Sequence, residues 1–113
     1  VGFYLQVHGN MLRLGPFQGS VACYTIPYGK GVCGKAWEEG RTLIVPNVET
    51  FPGHIACSSR SQSEIVIPMY DSQRHFRGVL DIDSTQFDDF SAEDKDGLEH
   101  IIQLLMAQIE DLF

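Results

Sequence analysis

Ser63-Glu64-Ile65-Val66-Ile67-Pro68-Met69-Tyr70 and Phe76-Arg77-Gly78-Val79-Leu80-Asp81-Ile82, parted by the polar run Asp71-Ser72-Gln73-Arg74, read as a β-hairpin. Both flanks are rich in β-branched and aliphatic residues, and the segment between them carries turn chemistry. Working back from the hairpin, residues 42–48 form another β-branched strand and residues 49–62 a long loop. Residues 1–7 and 11–14 are strands turned on His8-Gly9-Asn10, Gly15-Pro16-Phe17-Gln18-Gly19 breaks the chain, and residues 21–26 form a strand carrying Cys23.

Helical signals are confined to two places. Pro27-Tyr28-Gly29-Lys30-Gly31 turns into a short helix over 32–39 that carries Cys33 and stops at Gly40. Ser91 and Asp94 make a capping-box start for a helix over 92–112, on which Leu98, Ile101, Ile102, Leu105, Ile109 and Leu112 form one stripe. That stripe suits either the core or a homodimer contact. Antiparallel strands with helices held to one face describe an α+β sandwich.

The 113 residues make one domain, with 43% hydrophobic and 20% charged residues typical of globular chains. No apolar run approaches the roughly 18 residues that cross a bilayer, and no signal peptide is recognisable. A formal net charge of −7 argues against nucleic acid or an anionic membrane as partner and favours a small zwitterionic or cationic ligand. Three cysteines, an odd number in a short chain, point to chemically used thiols in a reducing compartment, the cytoplasm.

The loop ahead of the hairpin, Pro52-Gly53-His54-Ile55-Ala56-Cys57-Ser58-Ser59-Arg60-Ser61-Gln62, brings a thiol close in sequence to the carboxylate of Glu64. Catalytic groups concentrate on loops held by a rigid sheet. Cys33, opening a short helix whose dipole favours thiolate, competes with Cys57 as nucleophile on local physics alone. Asp81 and Asp83 fall on one face of a strand, because side chains alternate with period two, and two such carboxylates call for a cation between them. The backbone N–H groups of Gly31, Val32 and Gly34 offer an anion nest. Zinc binding by the cysteines and His54 is disfavoured, since Cys23, Cys33 and Cys57 lack the close-spaced pairs of structural sites.

Seven segments in order carry a family likeness: Gly2-Phe3-Tyr4-Leu5, Leu14-Gly15-Pro16-Phe17-Gln18-Gly19, Val21-Ala22-Cys23, Gly29-Lys30-Gly31-Val32-Cys33-Gly34, Phe51-Pro52-Gly53-His54-Ile55-Ala56-Cys57, Ser63-Glu64-Ile65-Val66 and Gly78-Val79-Leu80-Asp81-Ile82-Asp83-Ser84. Together they resemble the free methionine-R-sulfoxide reductases, which are built on a GAF domain. The resemblance implies a GAF-like antiparallel sheet with helices packed against it, as a single domain over 1–113 without the family's N-terminal helical segment. It also implies reduction of free methionine-R-sulfoxide through a cysteine sulfenic acid and an intramolecular disulfide, with no bound cofactor and thioredoxin as reductant.

In that scheme Cys57 attacks the sulfoxide sulfur, Glu64 supplies the proton, and Cys23 and Cys33 are the resolving candidates. Asp81 and Asp83 would hold the substrate ammonium, and Tyr4 would contact its sulfoxide end. Ser58 and Asn47 stand where the family commonly has aspartate. A GAF-type sensor that binds a ligand without turnover, or a thiol redox switch, is the alternative.

Overall fold

The computed structural model describes residues 1–19, 22–55 and 57–113. Its elements are β1 (Gly2–Val7), β2 (Met11–Phe17), β3 (Thr25–Pro27), α1 (Gly31–Glu39), β4 (Leu43–Val45), a 3-10 turn at Val48–Thr50, β5 (Ser63–Tyr70), β6 (Phe76–Ser84), α2 (Ala92–Ile109) and a closing 3-10 turn at Glu110–Leu112. The strands form one six-stranded sheet in the order β3-β2-β1-β6-β5-β4, antiparallel at every pairing.

The β5–β6 hairpin pairs from Tyr70↔Phe76 to Ser63↔Ser84, with a one-residue register shift between Tyr70 and Met69 and continuous register from Met69↔Gly78 onward. Asp71 organises its turn: one carboxylate oxygen accepts from the N–H groups of Gln73 and His75, both at 2.9 Å, and the other pairs with Arg77 at 2.9 Å. β6 runs two residues beyond the expected end at Ile82, which places Asp83 within the strand.

Helices held to one face were expected, and here the structure differs. The α1 side of the sheet buries Tyr4, Leu12, Val66 and Val79 with Val32, Cys33 and Ala36 of the helix. The opposite side buries Ile65, Ile67, Met69 and Leu80 with Ile102 and Met106 of α2. β5 dictates this arrangement: residues 63–67 are buried without interruption, so both of its faces need a cover. Of the expected α2 stripe, Ile102 is buried and Leu98, Leu105 and Ile109 are half-buried, while Ile101 and Leu112 are exposed. Its capping box forms as read, Ser91 Oγ accepting from Asp94 N–H and Asp94 from Ser91 N–H.

Gly15-Pro16-Phe17 does not break the chain but extends β2. The β1–β2 register slips by one residue between Gly2↔Phe17 and Tyr4↔Leu14, and β3 pairs only as far as Arg13. A bulge beyond the end of the neighbouring strand is where a sheet tolerates proline. β3 is shorter than the expected 21–26 and leaves Cys23 outside it; Val21 lies outside the described residues. β4 likewise contracts to three residues of the expected 42–48.

Candidate active site

A cavity of about 360 Å³ opens between the sheet, the start of α1 and the loop that precedes β5. Tyr4 reaches it from β1, Gly31, Val32 and Cys33 from α1, Glu64 from β5, and Asp81 and Asp83 from β6. His54, Ile55, Cys57, Arg60 and Ser61 line it from the loop. The alternation of β5 and β6 brings the carboxylates together: Glu64 stands opposite Asp83 and Val66 opposite Asp81, all on the α1 side.

The three cysteines divide in a way their spacing does not reveal. Cys23 and Cys57 form a disulfide, with Cα atoms 5.2 Å apart, while Cys33 is a free and buried thiol. Of the bonded pair, Cys57 lines the cavity. Cys33 Sγ lies within 4.8 Å of carboxylate oxygens of both Glu64 and Asp81. Burial, followed by the charges of Asp81, Glu64 and Asp83, pushes the Cys33 thiol well above its usual range. The helix dipole that recommended Cys33 as a thiolate is thus outweighed by desolvation and three acids.

Glu64 is 6% exposed. Burial raises its carboxyl to about 7, with Asp83 adding to the rise and a hydrogen bond to Asp81 opposing it. Asp81 is raised well above the carboxylate range by burial and then by the charge of Glu64. The two behave as one pair that retains a proton near neutrality. Asp83 is held differently, accepting a 2.7 Å hydrogen bond from Ser61 Oγ.

Tyr4 lines the cavity, but its hydroxyl donates to the Cys23 carbonyl at 3.0 Å, tying β1 to the segment that carries the disulfide. Burial, then the nearby acids, pushes the phenol further up, so it stays protonated. The expected anion nest is only partly assembled. Gly31 and Val32 face the cavity, whereas Gly34 N–H donates to the Lys30 carbonyl at 2.9 Å as part of α1. Gly34 instead lets α1 approach the preceding turn, since a Cβ there would sit 2.6 Å from the Pro27 carbonyl oxygen.

Three contributors escaped the sequence reading as site residues. His54 Nε2 lies 3.7 Å from Glu64 Oε1, Arg60 brings a cationic side chain to the cavity, and Ser61 orients Asp83. Their signal was the polar, serine-rich character of the loop itself.

The sequence matches the GAF domain family over residues 1–110. The chain belongs to the GAF domain family. This GAF domain is 55% identical over 105 residues to GAF domain-containing protein A of Dictyostelium discoideum, covering 93% of this chain and 66% of that protein. It is 47% identical over 109 residues to the free methionine-R-sulfoxide reductase of Escherichia coli (strain K12), covering 96% of this chain and 62% of the other. The crystal structure of free methionine-R-sulfoxide reductase from Neisseria meningitidis in complex with its substrate superposes with a TM-score of 0.92 at 45% identity, covering 96% of this chain and 65% of that one. The chain thus spans about three fifths to two thirds of the length of the curated relatives it matches.

Proposed function

We propose that this GAF domain reduces free methionine-R-sulfoxide, with Cys57 as the attacking thiol and Cys23 as the thiol that resolves it. The observation that carries the reading is the Cys23–Cys57 disulfide at a cavity lined by Cys57, Glu64, Asp81 and Asp83. Relatives of 46% and 47% identity named free methionine-R-sulfoxide reductase support it.

The chemistry follows from the groups present. The Cys57 thiolate attacks the sulfoxide sulfur, the oxygen passes to Cys57 as a sulfenic acid, and methionine leaves. Glu64, still protonated near neutrality, supplies the proton the sulfoxide oxygen needs as its bond to sulfur weakens. Cys23 then displaces water from the sulfenic acid and closes the disulfide. A dithiol protein of the thioredoxin type reopens it by exchange, its own two thiols becoming a disulfide. Cys33 takes no part in that pair and is left without a resolving role. Its buried thiol shapes the acid cluster instead.

Specificity for a free amino acid rests on charge. The ammonium group sits at Asp81 and Asp83, and Arg60 with the N–H groups of Gly31 and Val32 faces the carboxylate. A peptide-bound methionine offers neither charge. Among the described residues no helix is long and apolar enough to cross a membrane.

The test is NADPH oxidation coupled through thioredoxin reductase and thioredoxin, comparing the free R and S epimers with an N-acetylated sulfoxide. Turnover restricted to the free R epimer supports the reading. Binding without turnover would make the domain a ligand sensor, and oxidation by peroxide alone a thiol switch.

A further inference from the structure

Three donor atoms that no sequence spacing brings together meet in the cavity. Cys33 Sγ, a carboxylate oxygen of Glu64 and one of Asp81 lie within 4.8 Å of one another. Each projects from a different rigid element, α1, β5 and β6 respectively, so the cluster is fixed by the fold and not by a mobile loop. Asp81 Oδ1 is sealed from solvent and, among the described residues, no N–H or hydroxyl group donates to it, so what it meets is the proton shared with Glu64. A buried acceptor in that state costs free energy until a proton or a cation meets it. His54 stands beside the cluster, with Nε2 3.7 Å from Glu64 Oε1.

Thiolate sulfur with carboxylate oxygen and an imidazole close by is a donor set for zinc-class ions, whereas magnesium and calcium prefer oxygen alone. Metal–sulfur and metal–oxygen distances of about 2.3 and 2.1 Å place tetrahedral donors roughly 3.5 Å apart. The present donors, within 4.8 Å of one another, would close by up to about 1.3 Å to reach that spacing. We propose that Cys33, Glu64 and Asp81 form an open, three-ligand site for a divalent cation of the zinc class, with water or His54 in the fourth position, and that an ion there competes with the substrate. The ion would fill the space and cancel the negative charge that otherwise receives the ammonium group. The competition rests on the reductase reading; the binding site does not.

Cadmium, whose thiolate complexes absorb in the ultraviolet, probes the site directly in the disulfide form of the protein, where Cys33 is the one remaining thiol. The expected result is a thiolate-to-cadmium band that saturates at one equivalent and is chased by zinc. Cys33→Ser should abolish the band. Glu64→Gln and Asp81→Asn, each checked for native circular dichroism, should weaken cadmium binding at least tenfold. No band, or an affinity unchanged in both carboxylate variants, overturns the site. In phosphine-reduced protein, zinc should raise the sulfoxide concentration that half-saturates the first turnover. An unchanged value overturns the competition and leaves the site standing, and a protein that turns over no sulfoxide is still judged by the cadmium band.

Discussion

Glu64 on β5 faces Asp83 on β6 across the antiparallel ladder, a pairing of like charges that a sheet ordinarily avoids. The pair persists because its members are supported differently. Glu64 is buried, carries a carboxyl raised to about 7 and lies against Asp81, while Asp83 accepts from Ser61. One acid that keeps its proton beside one held by a hydroxyl suits a substrate that needs a proton at one end and a negative partner at the other.

Cys57→Ser should eliminate methionine formation even in a single turnover, because the cavity then loses its attacking thiol. Cys23→Ser should still yield about one equivalent of methionine per protein and then stall, with sulfenic acid trapped by dimedone and identified by mass spectrometry. Cys33→Ser should still form the Cys23–Cys57 disulfide on exposure to sulfoxide. Loss of that disulfide in the Cys33 variant would move the redox role to Cys33.

Glu64→Gln should slow the reductive step by about 10²- to 10⁴-fold, the usual loss for a general acid. In the unaltered protein, the rate of that step should fall as pH rises through about 7, where Glu64 gives up its proton. A first turnover that stays fast in the Gln variant at every pH would leave Glu64 with a structural role.

Stability carries the same titration. The folded carboxyl of Glu64 titrates near 7 against an unfolded value of 4.5, so its proton favours the native state fully below pH 4.5. That contribution is lost as pH rises to about 7 and is absent above it. Urea unfolding should therefore show native stability declining by on the order of 3 kcal/mol between pH 4.5 and 7 from this group, with a shallower decline in Glu64→Gln. Parallel curves for the two proteins would contradict the assignment.

Asp83→Asn should raise KM for the free sulfoxide more than tenfold while scarcely altering any residual reaction with the N-acetylated compound, since a charged hydrogen bond to the ammonium is lost only in the first case. Equal losses on both substrates would assign Asp83 to catalysis or to structure.

Gly34→Ala tests the packing of α1 and not its backbone freedom. The added methyl meets the Pro27 carbonyl oxygen at 2.6 Å and cannot be accommodated by rotating a side chain. A loss of about 1–3 kcal/mol in denaturant unfolding is expected. A neutral result would show that the 27–30 turn yields more readily than its hydrogen bonds suggest.

Much of this was legible in the chain. The hairpin, the Gly40 stop of α1 and the Ser91–Asp94 cap follow from local chemistry, and all three form. Asp81 and Asp83 were placed on one face by strand periodicity alone, and the ladder then aligned Glu64 with them. The cysteine pairing was not legible, because three thiols allow three pairings and only the tertiary fold selects Cys23 with Cys57. Nor was the state of Cys33, whose carboxylate neighbours come from strands distant in sequence. Helices on opposite faces followed from the burial of β5 on both sides, and a short apolar run such as Ile65-Val66-Ile67 cannot be told from a buried helix segment by periodicity alone.

The disulfide closes a ring of chain between residues separated by 34 positions, and α1, β4 and the Val48–Thr50 turn all lie inside it. Opening such a ring enlarges the unfolded ensemble by an entropy equivalent to about 4 kcal/mol. Under the reductase reading, every catalytic cycle therefore alternates the molecule between a looped and an unlooped topology. The electron supply then governs durability as well as turnover: a cell short of reductant accumulates the spent enzyme in its hardier form, ready to resume when electrons return.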